Sequence, residues 1–121
     1  MAESTEKTIL IVDDEASQRE LLCGFVESLG YASRQAGSGE EALASIEADL
    51  PDMVLLDVRL PGINGIETLA EIRKRAIEFP VLLITAYADL RQAVVAMKGG
   101  ADDYLAKPVD LDELETAIND R

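Results

Sequence analysis

Asp13, Asp14, Asp57, Thr85 and Lys107 are the residues whose types and places in the sequence could do chemistry together. Asp57 closes the run Met53-Val54-Leu55-Leu56, and a Pro61-Gly62 turn lies just beyond it. Such an unbroken apolar run reads as a short strand buried on both faces of a parallel sheet. A carboxylate at its end costs free energy unless something uses it. Ligands gather at the carboxyl ends of strands in open parallel sheets, although an aspartate also ends strands simply to start a turn. Thr8-Ile9-Leu10-Ile11-Val12 is a second apolar run, and it too ends in acids, Asp13, Asp14 and Glu15. Val81-Leu82-Leu83-Ile84 ends at Thr85, and Asp103-Tyr104-Leu105-Ala106 ends at Lys107. Acids, a hydroxyl and an ammonium gathered at one sheet edge suit Mg²⁺, a hard cation that keeps several waters and takes phosphate oxygens as further ligands. A nucleophilic aspartate beside Mg²⁺, with a hydroxyl and a lysine to hold a phosphoryl group, is equipment for an aspartyl phosphate. Acids so close should also repel one another, raising at least one carboxyl pKa.

The elements that must position these residues alternate along the chain. After the first strand, Leu21, Leu22, Phe25, Val26 and Leu29 recur at helical spacing, and Gly30 stops the helix. Tyr31 to Ala36 is a weaker, more polar strand, suited to a sheet edge. Ser38 and Glu41 have capping-box spacing and open a second helix carrying Ala42, Leu43 and Ile46. Asn64 and Glu67 open a third in the same way, with Ile66, Leu69, Ala70 and Ile72 inward. Asp89 with Gln92 caps a fourth helix bearing Leu90, Ala93, Val94 and Met97, closed by Gly99-Gly100. The last helix runs from about Asp110, with Leu111, Leu114 and Ile118 inward. Five strand–helix alternations with right-handed crossovers imply a doubly wound α/β fold with a five-stranded parallel sheet and helices on both faces. Five strands favour the flavodoxin-like order 2-1-3-4-5, which makes the first and third strands neighbours at the switch point.

Composition narrows the function classes. The chain of 121 residues suits one domain, and 48% apolar content suits a real core. A formal charge of -13 leaves no basic stripe for nucleic-acid phosphates, so no direct nucleic-acid binding is expected. The absence of histidine removes histidine metal sites and histidine acid–base chemistry. The single cysteine, Cys23, lies on an apolar helical face, reads as a core residue and fits a reducing compartment. No apolar run reaches membrane-spanning length and Met1 to Lys7 is a polar tail without a signal-peptide core, so a cytoplasmic location and no membrane partner are expected.

Four motifs carry a family resemblance: Ile11-Val12-Asp13-Asp14-Glu15, Leu55 to Gly65, Ile84-Thr85-Ala86, and Gly100 to Pro108. Over residues 8–121 the chain resembles the receiver domain of two-component response regulators, and in detail the NtrC family of transcriptional activators. The resemblance implies that Asp57 takes a phosphoryl group from a sensor histidine kinase. It implies that Asp14, Asp57 and the backbone carbonyl of Arg59 ligate Mg²⁺, with Asp13 acting largely through water. Thr85 would bond the phosphoryl oxygen, Lys107 would pair with it, and Tyr104 would move inward as the switch. Arg59 and Tyr87 would tune hydrolysis of the acyl phosphate. The face of the fourth helix, fifth strand and fifth helix would serve a partner or a homodimer. An output domain would follow in a longer regulator, of which this chain would be the N-terminal part. The resemblance also implies a regulatory phosphoacceptor, not an enzyme acting on other substrates. A haloacid-dehalogenase-type phosphatase needs a second aspartate where Arg59 stands, and a flavodoxin-type cofactor binder would find phosphate repelled by Asp13-Asp14-Glu15. The remaining alternative is a vestigial receiver that acts only as a protein-interaction module.

Overall fold

A computed structural model describes residues 7–75, 78–86 and 90–120. The described elements are β1 (Thr8–Val12), α1 (Ala16–Ser28), β2 (Ala32–Ala36), α2 (Gly39–Ala48), β3 (Met53–Asp57), α3 (Gly65–Lys74), β4 (Val81–Thr85), α4 (Leu90–Lys98), β5 (Asp103–Ala106) and α5 (Leu111–Asn119). The strands form one five-stranded sheet in the order β2-β1-β3-β4-β5, every pair parallel. The doubly wound fold and its strand order are thus as the alternation implies.

Burial follows from the apolar runs. All five residues of β3 and of β4 are buried, as central strands require. Alternate side chains of the sheet enter two cores. Leu10, Val12, Val54, Leu56 and Leu83 meet Ala42, Ile46, Leu69 and Ile72 of α2 and α3 on one face. Ile9, Ile11, Leu55, Leu82 and Ile84 meet Leu22, Val26, Leu114 and Ile118 of α1 and α5 on the other. Cys23 is buried in this second core, as its helical position predicts. β2, at the margin of the sheet, is only partly covered, and its Arg34 guanidinium donates to the Ser45 and Asp49 carbonyls at the end of α2.

The caps bear out the sequence in part. Asn64 and Glu67 complete a reciprocal capping box on α3. Ser38 Oγ accepts from the Glu41 N–H, but the Glu41 carboxylate accepts from Gly37, one residue before the cap, so the second box is only half made. Gly30 and Gly100 end α1 and α4 at φ values of +98° and +105°, open to glycine at little cost. Three residues expected inward are not. Leu21 is 57% exposed and Leu111 37% exposed, and Ala70 also faces solvent. In α1 the inward arc is taken by Leu22, Cys23 and Val26, and in α3 by Thr68, Leu69 and Ile72, so with about 100° between successive positions Leu21 and Ala70 fall outside it. Leu111 sits in the first turn of α5, before that helix meets the sheet. The expected Asp89–Gln92 cap and the inward places of Leu90 and Ala93 lie outside the described residues and side chains.

Candidate functional site

Each candidate residue sits where a strand stops. Asp13 follows β1, Asp57 is the last residue of β3, Thr85 the last of β4, and Lys107 follows β5. Parallel pairing puts these ends on one edge. Asp57 is in register with Ile84, and Thr85 with Ala106, so Thr85 and Lys107 each lie one step beyond the paired residue. A cavity of about 370 Å³ opens there, lined by Asp13, Asp14, Asp57 and Lys107 together with Glu15, Arg59 and Ala86.

The three aspartates converge: one carboxylate oxygen from each of Asp13, Asp14 and Asp57 lies within 4.8 Å of the others. Asp13 and Asp57 are buried and Asp14 is exposed. Lys107 Nζ donates to Asp57 Oδ2 at 2.8 Å and to Asp13 Oδ2 at 3.1 Å. The other oxygens are held by main-chain N–H groups two residues on, from Glu15 to Asp13 Oδ1 at 2.9 Å and from Arg59 to Asp57 Oδ1 at 3.0 Å. This is the local turn that aspartate favours at strand ends, and it leaves the second oxygen of each carboxylate to Lys107.

Burial is the main reason that the Asp57 carboxyl pKa is raised. Hydrogen bonds from Lys107 and the Arg59 N–H, and the charge of Lys107, pull it back; the charge of Asp13 adds the smallest upward push. The expected rise is therefore present, but its expected cause, repulsion among the acids, is minor beside desolvation. For Lys107, burial pushes downward, but the hydrogen bonds and charges of Asp57 and Asp13 outweigh it and leave the ammonium raised. Around the cavity the carboxylates of Asp13, Asp14, Glu15 and Asp57 outnumber the cations of Lys107 and Arg59, so the site is short of positive charge. An all-oxygen donor set in that state fits a hard divalent cation.

Thr85 is fully buried, with its carbonyl accepting from the Lys107 N–H at 2.7 Å. Ala86 rather than Thr85 forms the cavity wall. Tyr104, in register with Leu83, is half-buried against the core on the α2–α3 face. Tyr87 lies outside the described residues. The Lys107-Pro108 bond is cis. Gly65 brings the start of α3 against the end of β3: its N–H donates to Val58 O at 2.9 Å, and a Cβ there would lie 2.3 Å from Asp57 O. No motif marks Arg19, whose Nη1 reaches the Asp13 carbonyl at 2.6 Å from α1. A contact from a helix side chain to a loop carbonyl leaves no spacing pattern to read.

Comparison with known proteins agrees with this geometry. The response regulator receiver domain family matches residues 9–119. The regulatory protein AtoC of Escherichia coli K12 is 43% identical over 110 residues, covering 91% of this chain and 24% of that protein. The transcriptional regulatory protein ZraR of the same organism is 42% identical over 91% of this chain and 25% of its own length. The chain thus spans about a quarter of these relatives. Among solved structures, the receiver domain of NtrX from Brucella abortus superposes with a TM-score of 0.86 at 36% identity, covering 93% of this chain and 95% of that one. A CheY-like receiver domain protein from Methanospirillum hungatei JF-1 gives 0.91 at 33% identity, covering 96% and 93%.

Proposed function

The chain belongs to the response regulator receiver domain family, and from that premise we propose that Asp57 is its phosphoacceptor. The observation that carries this reading is the convergence of Asp13, Asp14 and Asp57 within 4.8 Å, with Lys107 on the Asp57 carboxylate. A carboxylate oxygen of Asp57 would attack the phosphorus of a phosphohistidine on a sensor kinase, forming the P–O bond as the P–N bond breaks and leaving the imidazole on the kinase. Lys107, which donates to the Asp57 and Asp13 carboxylates, would neutralise charge on the transferred group. Asp13, Asp14 and Asp57, with the main-chain carbonyl of Arg59, would hold Mg²⁺. When bound, that ion would supply charge neutralisation to phosphoryl oxygens. Thr85 and Tyr104 would carry the consequence outward, the hydroxyl being drawn to the phosphoryl group and the ring following it.

Similarity to AtoC and ZraR supports control of transcription through an output domain in a longer chain, in the manner of NtrC-like regulators. No described helix is long and apolar enough to cross a membrane, and together with the receiver fold this supports a cytoplasmic place. Exposed Val94, Val95 and Met97 on α4 and Leu111 on α5 support the α4–β5–α5 face as a partner or homodimer surface. The charge of -13 supports leaving DNA contact to another domain.

Labelling with acetyl phosphate and Mg²⁺ tests the reading. One acid-stable, base-labile phosphate is expected on wild type and none on Asp57→Asn. A full-strength adduct on another residue overturns the assignment, and no adduct on wild type leaves only a protein-interaction role.

A further inference from the structure

We propose that Arg19 is a positioning residue for the acidic site: by gripping the Asp13 carbonyl it sets the orientation of both Asp13 and Asp14, and through them the affinity for a divalent cation. The proposal rests on the phosphoacceptor reading above. Asp13 lies one residue past the end of β1, where the ladder stops. Its N–H still donates to Ala36 O at 3.1 Å, but its carbonyl is beyond the last paired residue. Arg19 Nη1 takes that carbonyl at 2.6 Å. A hydrogen bond from a charged donor is short and strong compared with a neutral one.

The peptide that Arg19 holds is the one joining Asp13 to Asp14. Because a peptide unit is planar, fixing its C=O also fixes the N–H and Cα of the next residue. One guanidinium thus governs where the buried acid and the exposed acid of the cluster both point. The guanidinium is itself oriented, since its Nε donates to Gln35 Oε1 at 3.1 Å. Gly37 closes the other side: a Cβ there would sit 3.4 Å from Arg19 Nη1. Three of the four hydrogen-bonding groups of Asp13 are held by main chain or by Lys107; the carbonyl is held by Arg19. Groups that orient metal ligands from behind typically change metal affinity by roughly 10–100-fold when removed.

The test is a Mg²⁺ titration of thermal stability, a binding readout that needs no phosphorylation, on wild type, Arg19→Ala, Arg19→Gln, Arg19→Lys and Gln35→Ala. The Mg²⁺ dissociation constant, obtained from stabilisation against metal concentration as RT ln(1 + [Mg²⁺]/Kd), should rise about tenfold in Arg19→Ala and Arg19→Gln. It should return most of the way in Arg19→Lys, whose ammonium can still reach the carbonyl. In Gln35→Ala, which loosens the guanidinium but leaves the Asp13 contact possible, it should rise less than in Arg19→Ala. If Arg19→Ala does not fold, Arg19→Gln is read in its place. A wild-type dissociation constant in the Ala and Gln variants overturns the proposal whatever their metal-free melting temperatures. A wild type that ignores Mg²⁺ overturns the metal reading of the site, and the role of Arg19 falls with it.

Discussion

Asp57 and Lys107 both have raised pKa values in the folded protein, and the sign of each has a consequence for stability. A raised carboxyl means that the folded state binds the proton more tightly than the unfolded chain. Its contribution is most favourable below the unfolded value of about 3.9 and is lost as pH rises through the folded value. A raised ammonium contributes fully below its unfolded value of about 10.4 and is lost as pH rises through the folded one. The metal-free protein should therefore lose stability in an acidic-to-neutral window from Asp57 and again in an alkaline one from Lys107. Asp57→Asn removes the first loss. At pH 7 without metal it should be more stable than wild type, melting a few degrees higher, with the gap closing as pH falls toward about 4. Melting curves in EDTA at the two pH values check this; a less stable variant at pH 7 would contradict the burial account of Asp57. Thr85→Ala makes the complementary case. It should accept phosphate at Asp57 but show little of the wild-type change in amide NMR shifts along α4 and β5, because the hydroxyl links the chemistry to the conformation.

At the scale of elements, the glycines separate packing from propensity. Gly65→Ala should cost about 3 kcal/mol, since the added Cβ would meet Asp57 O at 2.3 Å and Val58 Cα at 2.7 Å, backbone atoms that cannot step aside. Gly24, within α1, has nothing within 4 Å of its Cβ position. Gly24→Ala should stabilise by about 0.5–1 kcal/mol through helix propensity. Thermal unfolding of the two variants gives both signs in one experiment. The sequence made the strands and their ends easy to read, because β1, β3 and β4 are unbroken apolar runs stopped by Asp or Thr. Those strand ends bring Asp13, Asp14, Asp57 and Lys107 to one sheet edge from the sequence alone. Helix faces were harder: neighbouring Leu21 and Leu22 look equivalent in composition, yet only Leu22 points at the sheet. The ranking of electrostatic causes at Asp57 was also hidden, because burial depends on everything packed above the strand end and leaves no local mark in the sequence. Arg19 is hidden for a related reason, as its partner is a carbonyl, which every residue has.

The whole molecule carries 24 acidic and 11 basic residues, so cations act on it in two ways. Monovalent salt screens the general repulsion and should stabilise slightly and smoothly. Mg²⁺ should add an effect through the site that grows with the logarithm of its concentration: with a dissociation constant on the order of 1 mM, about 10 mM metal contributes roughly 1.4 kcal/mol, or roughly 3–8 °C. Asp57→Asn should gain clearly less. Parallel melts in NaCl matched for ionic strength separate the two effects, and equal shifts in both salts would deny a specific site. The margins of the sheet bear on a different property. A marginal strand leaves a row of N–H and C=O groups with no neighbour, a template on which a strand from another molecule could add. Here those margins are β2 and β5, of 5 and 4 residues. β2 carries Arg34, tied to the end of α2, and β5 opens with Asp103. Short, charged margins of this kind discourage strand invasion, so the same architecture that leaves the sheet open at both sides also limits its growth into a polymer.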